Sequence, residues 1–250
     1  MIQNPIHKAL LIVKSSNARF LVMGGQACVL YGAAEFSRDL DLTIGIDPKN
    51  VQAVGNALKH LKAEQILVPG FDIAALDRGH ACHFRCRLSG IENLRIDLMS
   101  RMRGCSDFEV LWSRRTIADL PEVGLVGVLS LPDLVQAKKT QRDKDWPMIR
   151  RLIEADYLRS HINPTSEQIR FWLRECRTPA LLVHLAKQYA NDCRTLLAQR
   201  PLLQNVGEGD ISAIEAGLSQ EEQLEREADQ EYWSPLRAEL TQWRREKRAQ

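Results

Sequence analysis

Apolar positions in the first half of the chain follow two periods. From Pro5 to Lys14 they recur at three- and four-residue spacing, which predicts a helix with one buried stripe. Arg19-Phe20-Leu21-Val22-Met23 is a short apolar run ending in Gly24-Gly25, the pattern of a buried strand closed by a tight turn. A short helix follows over Gln26–Tyr31, stopped by Gly32. Leu40-Asp41-Leu42-Thr43-Ile44 alternates and predicts a second strand. Asp47-Pro48 then opens a helix running through Val51, Leu58 and Leu61, with the aspartate as cap and the proline in the first turn. Strand-like segments at 81–88 and 94–99 flank the loop Ser89-Gly90-Ile91-Glu92-Asn93, which predicts a hairpin, and 125–129 is a further strand candidate. Ser130-Leu131-Pro132-Asp133 has the layout of a helix start in which Ser130 caps and Asp133 reaches back.

Beyond about Asp143 the periodicity is helical only. Thr165-Ser166-Glu167-Gln168 reads as a capping box, and 179–197 and 220–247 are long amphipathic stretches, the second expected to kink or restart at Pro235. Within it, Trp233, Leu236, Leu240 and Trp243 fall on one stripe. The pattern predicts an α/β (α+β) core over residues 1–125, a mixed sheet with flanking helices, followed by a helical region over 126–250.

Three features of the core carry chemistry. The strand–Gly24-Gly25–helix unit lets backbone approach a ligand closely and offers N–H groups to phosphate. It is also simply a tight turn. In Ser37-Arg38-Asp39-Leu40-Asp41-Leu42 the two aspartates stand two apart, so both point to one face while Leu40 and Leu42 point into the core. Such carboxylates repel unless a cation lies between them, and hard divalent ions prefer oxygen sites of this kind. In Leu94-Arg95-Ile96-Asp97-Leu98 a third aspartate sits inside an apolar strand, which is costly unless the acid is paired or bound to metal. Arg95, on the same face, is the competing partner.

Together these motifs resemble the nucleotidyltransferase superfamily with a DNA-polymerase-beta-like core. Gly24-Gly25-Gln26-Ala27, Tyr31-Gly32 and Ser37-Arg38-Asp39-Leu40-Asp41 are similar to its abortive-infection and toxin-type branch. So is Pro132-Asp133-Leu134 followed by Lys138, Arg142 and Asp145. The resemblance covers about residues 15–150. Glu35-Phe36 departs from it, in a stretch that usually carries an arginine.

The resemblance implies a metal-dependent transferase moving a nucleoside monophosphate from a nucleoside triphosphate to a hydroxyl on RNA, tRNA or protein. Asp39, Asp41 and Asp97 would be catalytic and hold magnesium or manganese. Gly24, Gly25, Ser37, Arg38 and Lys138 would contact the nucleotide, with Lys138 neutralising the leaving pyrophosphate. The alternative is a non-catalytic module of the same fold that binds or assembles. C-terminal helices could then hold an antitoxin or a second copy of the chain.

Composition narrows this only slightly. A formal net charge of +2 does not announce a nucleic-acid binder, although Arg95–Arg115 and Lys138–Lys144 are locally basic and Glu221–Glu231 is acidic. No apolar run reaches membrane-spanning length, and Met1-Ile2-Gln3-Asn4-Pro5 lacks a secretory layout, so a cytoplasmic protein with no membrane partner is expected. The six cysteines include no C-x-x-C pair and are expected to be reduced. His80, Cys82, His83 and Cys86 lie close in sequence. On a strand, however, Cys82 and Cys86 face one side and His83 the other, which favours sheet packing over zinc.

Overall fold

A computed structural model describes residues 4–207 and 209–249; residues 1–3, on which part of the leader reading rests, fall outside them. The chain divides into two units. The first comprises residues up to Leu30, Ala34–Ala137 and those from Glu231 on; the second comprises Tyr31–Ala33 and Lys138–Gln230.

The first unit runs α1 (Pro5–Ser15), β1 (Phe20–Val22), α2 (Gly24–Leu30), β2 (Asp39–Ile44), α3 (Pro48–His60), β3 (Ala63–Gln65), α4 (Ile73–Arg78), β4 (Cys82–Cys86), β5 (Arg95–Met99), α5 (Phe108–Ser113), β6 (Thr116–Leu120), β7 (Gly124–Val128) and α6 (Leu131–Ala137). Among the described residues, seven strands make one mixed sheet in the order β3-β4-β5-β2-β1-β7-β6. β2 runs parallel to β5 and antiparallel to β1, β4 and β5 form the expected hairpin, and β1 meets β7 in parallel. The second unit is helical: α7 (Asp145–Ser160), α8 (Ser166–Glu175), α9 (Pro179–Gln188), α10 (Ala190–Leu196), α11 (Leu203–Val206) and the part of α12 (Ile211–Ala249) up to Gln230. The chain is thus a mixed α/β fold with a helical region after the sheet.

The caps form as sequence chemistry dictates. Asp47 accepts from the Asn50 N–H at 3.0 Å, Ser130 accepts from Asp133 N–H at 3.3 Å, and Thr165 and Gln168 close a capping box. The core face of the sheet carries Leu40, Leu42, Ile44, Ile96, Leu98, Cys82, Phe84 and Cys86, all buried. Cys82 and Cys86 share that face and His83 does not, and the six cysteines are free. The burial of this layer, at roughly 25 cal/mol per Å² of apolar area, is what holds the strands in register.

The helical stretches differ in detail from their periodicity, and four short elements were not foreseen. The 179–197 stretch is two helices, broken at Tyr189, whose ψ of 49° is not helical. Of the two outcomes expected at Pro235, the restart does not occur: the proline lies inside one helix, α12. β3, α4, α5 and β6 went unread because they are three to six residues long and, in β3 and β6, mostly solvent-facing. Periodicity needs a longer window and one buried face.

The Trp233–Trp243 stripe is covered within the first unit. Leu236 is buried, and Trp243 lies 4.8 Å from the His80 ring. Beside it Glu239 takes Arg78 at 3.0 Å and His80 at 2.5 Å. No helix among the described residues is long and apolar enough to cross a membrane.

Candidate active site

The polar face of the sheet is built by register. Across β2, β5 and β4, Asp41 stands beside Asp97 and Asp97 beside His83. One step along, Asp39 stands beside Arg95 and Arg95 beside Arg85. Because paired residues in neighbouring strands share a face, Asp39, Asp41 and Asp97 all lie on the side opposite Leu40, Leu42, Ile96 and Leu98. Each aspartate is only part-buried while its apolar neighbours are closed off.

The Gly24-Gly25 pair that opens α2 packs against this face. Gly24 adopts φ +60°, and a Cβ there would fall 1.9 Å from Asp41 Oδ2; a Cβ on Gly25 would fall 2.4 Å from Ser37 Oγ. Both positions therefore require glycine, the first for conformation and space and the second for space. The Gly25 N–H donates to Asp41 at 3.3 Å, so it is directed at the carboxylate. Ser37 donates its hydroxyl to the Asp39 carbonyl at 3.1 Å, and Gln26 Nε2 donates to the Ser37 carbonyl at 3.1 Å. This pins the segment that leads into β2.

Asp97 has two basic neighbours on one oxygen. Arg95 Nε donates to Oδ1 at 2.8 Å, and His83 Nδ1 lies 2.9 Å from the same atom. A carboxylate oxygen only accepts, so Nδ1 must carry the proton. The Arg95 Nη2 at 3.1 Å from Nδ1 is then a close approach and not a second bond. Burial pushes the Asp97 carboxyl up, but the bonds and charges of His83 and Arg95 outweigh it and hold it below the usual range. Arg95 in turn is raised by its bond to Asp97, against desolvation, and further by the fields of Asp97, Asp39 and Asp41. One guanidinium thus serves three carboxylates.

Among the described residues no three His, Cys, Asp or Glu side chains are gathered so as to grip a metal ion. The aspartates share a face and a register, but Asp97 is turned onto Arg95. As a donor set they nevertheless suit a hard divalent cation, since all three are carboxylate oxygen ligands.

Lys138 lies elsewhere in chemical terms. Its ammonium, nearly buried in the second unit, pairs with Asp145 at 2.9 Å. The basic stretches are similarly engaged. Arg101 pairs with Asp77 and Asp107, Arg114 with Asp133, Arg142 with Asp145, and Lys139 with Glu175 and Glu225. In the acidic run, Glu221 takes Arg177 and Arg200, and Asp229, 2% exposed, accepts from the Gln141 N–H. Arg38 remains exposed, with its guanidinium 6.0 Å from the centre of the Phe36 ring.

His83 was missed as a site residue. The strand parity that separated it from the cysteines also put it on the aspartate face. The hairpin brought it to Asp97, but a loop of several residues does not fix that register from sequence.

No family model and no curated protein matches the chain. Among solved structures it is similar to the crystal structure of a provisionally named nucleotidyltransferase from H. pylori, with 13% identity, a TM-score of 0.42, and 90% of this chain and 94% of that chain covered. At that score the likeness carries no inference about residues or chemistry.

Proposed function

We propose that this chain is a metal-dependent nucleotidyltransferase that moves a nucleoside monophosphate from a nucleoside triphosphate to a hydroxyl of RNA, tRNA or protein, releasing pyrophosphate. The observation that carries this is the register of Asp41 beside Asp97, with Asp39 on the same face and the glycine turn packed against Asp41. Clustered part-buried acids are costly to a fold and concentrate at functional sites.

Asp39, Asp41 and Asp97 would hold magnesium or manganese. When bound, such ions supply the positive charge that retains a triphosphate and eases ionisation of an acceptor hydroxyl. A carboxylate held below its usual range is a weak base, so Asp97 acts first as a ligand and a fixed charge. Ser37 and Arg38 stand at the edge of this face and suit phosphate and nucleoside contacts, while Gly24 and Gly25 keep the approach open. Lys138, engaged by Asp145, is given a structural role. The toxin-type assignment, with an antitoxin or self-association partner, rests on motif resemblance alone.

A second reading, a non-catalytic binding module, is favoured by Arg95. Its guanidinium neutralises the aspartates without any metal, so the fold can keep them unaided. Incubation with magnesium, total RNA and triphosphates labelled at either the α or the γ phosphate separates the two. Transfer of α label alone to RNA or protein, lost in the Asp39→Asn, Asp41→Asn double variant, is expected of the enzyme. Absence of transfer, with no triphosphate-dependent rise in unfolding temperature, favours the module.

A further inference from the structure

Phe36 is 68% exposed, and it is the one aromatic among the large apolar side chains that the described residues leave open to solvent. A phenylalanine left in water forgoes the burial that such side chains ordinarily gain. It stands three residues before Asp39, in the segment between α2 and β2, and that segment is not loose. Gln26 Nε2 holds the Ser37 carbonyl, Ser37 holds the Asp39 carbonyl, and Gly25 leaves no more than room for Ser37. The ring is therefore presented from an anchored base at the edge of the carboxylate face. Arg38, exposed and with no carboxylate partner among the described residues, sets its guanidinium 6.0 Å from the ring centre.

An exposed ring with an uncommitted planar cation beside it is what a nucleobase stacks upon. Aromatic and guanidinium surfaces hold bases through their π-faces with little demand on base identity. We propose that Phe36 and Arg38 form a stacking platform for a planar nucleobase at the mouth of this site. The platform rests on the nucleotidyltransferase reading above. The base can come from the donor triphosphate or from the end of an acceptor strand, and the chemistry of recognition is the same.

The test compares ligands with and without a base. Binding of each common nucleoside triphosphate, of inorganic tripolyphosphate, and of a short single-stranded RNA is measured with magnesium for the wild type, Phe36→Ala, Phe36→Trp and Arg38→Ala. Phe36 is exposed, so its variants keep the fold. If the base is the donor's, Phe36→Ala weakens the nucleoside triphosphates about tenfold and leaves tripolyphosphate unchanged, while Phe36→Trp restores binding. If the base belongs to the acceptor, the same loss appears with RNA and not with the triphosphates; either pattern supports the platform. Equal binding of all three ligands by wild type and Phe36→Ala would overturn the platform and leave the site reading standing. Failure of the wild type to bind any triphosphate or tripolyphosphate would overturn the site reading, and the platform with it.

Discussion

Asp97 in the first unit and Asp145 in the second are both mostly buried acids with two basic neighbours, and they use them differently. Asp145 spends both oxygens: Oδ1 takes Lys138 at 2.9 Å, and Oδ2 takes Thr140 at 2.7 Å and Arg142 at 2.8 Å. Asp97 concentrates Arg95 and His83 on Oδ1, and among the described residues Oδ2 accepts nothing. Asp145 has its own side chain 3% exposed, Asp97 15%. The fields differ too. Asp145 faces cations, whereas Asp97 shares its face with Asp41 and Asp39. A carboxylate that is closed and fully bonded stabilises; in the proposed function, one that keeps an oxygen without a protein partner beside another carboxylate is the one that would receive a ligand. This difference, more than burial or charge, separates a structural acid from a candidate site acid.

The largest effect should come from breaking the closed one. Asp145→Asn leaves the Lys138 ammonium buried without its counter-charge, which should cost about 3 kcal/mol of stability. Urea unfolding measures it, and an unchanged midpoint would show that water reaches Lys138 and that the pair is not structural. Asp97→Asn should behave otherwise. Its partner Arg95 is 35% exposed and still sees Asp39 and Asp41, so the fold should lose no more than about 1 kcal/mol. Transfer, in the proposed reaction, should fall at least ~10²-fold while triphosphate binding persists. A strongly destabilised variant with unimpaired transfer would make Asp97 a scaffold acid like Asp145.

Much of this contrast was legible in sequence. The Asp-x-Asp spacing and the apolar flanks of Asp97 put all three acids on one face, because strand parity is rigid. The Ser130 and Thr165 caps and the β4–β5 hairpin were legible for the same reason: each is a local rule. The Lys138–Asp145 pair was not legible, because the partner of Lys138 is chosen by packing. Nothing in Lys138–Asp145 distinguishes an ammonium folded back seven residues from one extended to a phosphate. The registers that set Asp41 beside Asp97 and His83 beside Asp97 are likewise tertiary facts. Short edge pieces such as β3 and β6 lack the buried face that makes alternation visible.

Arg95 sharpens the comparison next, with a smaller effect. If its guanidinium occupies the electrostatic position of a divalent cation, Arg95→Gln should strengthen manganese or magnesium binding by about tenfold, since a like charge within a few ångströms is removed. Manganese binding followed by its magnetic resonance signal reads this without any turnover. The Asp145 cluster provides the control: Arg142→Gln should leave manganese affinity where it was. Weaker metal binding in Arg95→Gln would mean that Arg95 orients Asp97 as a ligand and does not compete.

The smallest expected difference is in acid. Burial pushes both carboxyls up, and their basic neighbours outweigh it, so both titrate below the ordinary aspartate range in the folded chain. A folded value below the unfolded one means that the unfolded chain binds more protons. The stability each acid contributes is then fully present above about pH 4, the unfolded value, and is lost as pH falls through the folded one. Wild-type stability should therefore decline below about pH 4. Asp145→Asn should flatten that decline more than Asp97→Asn does, because Asp145 has both oxygens engaged and a side chain 3% exposed against 15% for Asp97. Asp97 also has Asp41 beside it in register, and protonating one of two neighbouring carboxylates eases the other, so part of the loss is returned. Urea midpoints measured from pH 6 to pH 3 for the wild type and both variants read the slopes. If Asp97→Asn flattens the decline as much as Asp145→Asn, the repulsion among Asp39, Asp41 and Asp97 is already cancelled by Arg95, and Asp97 belongs with Asp145 as a structural acid.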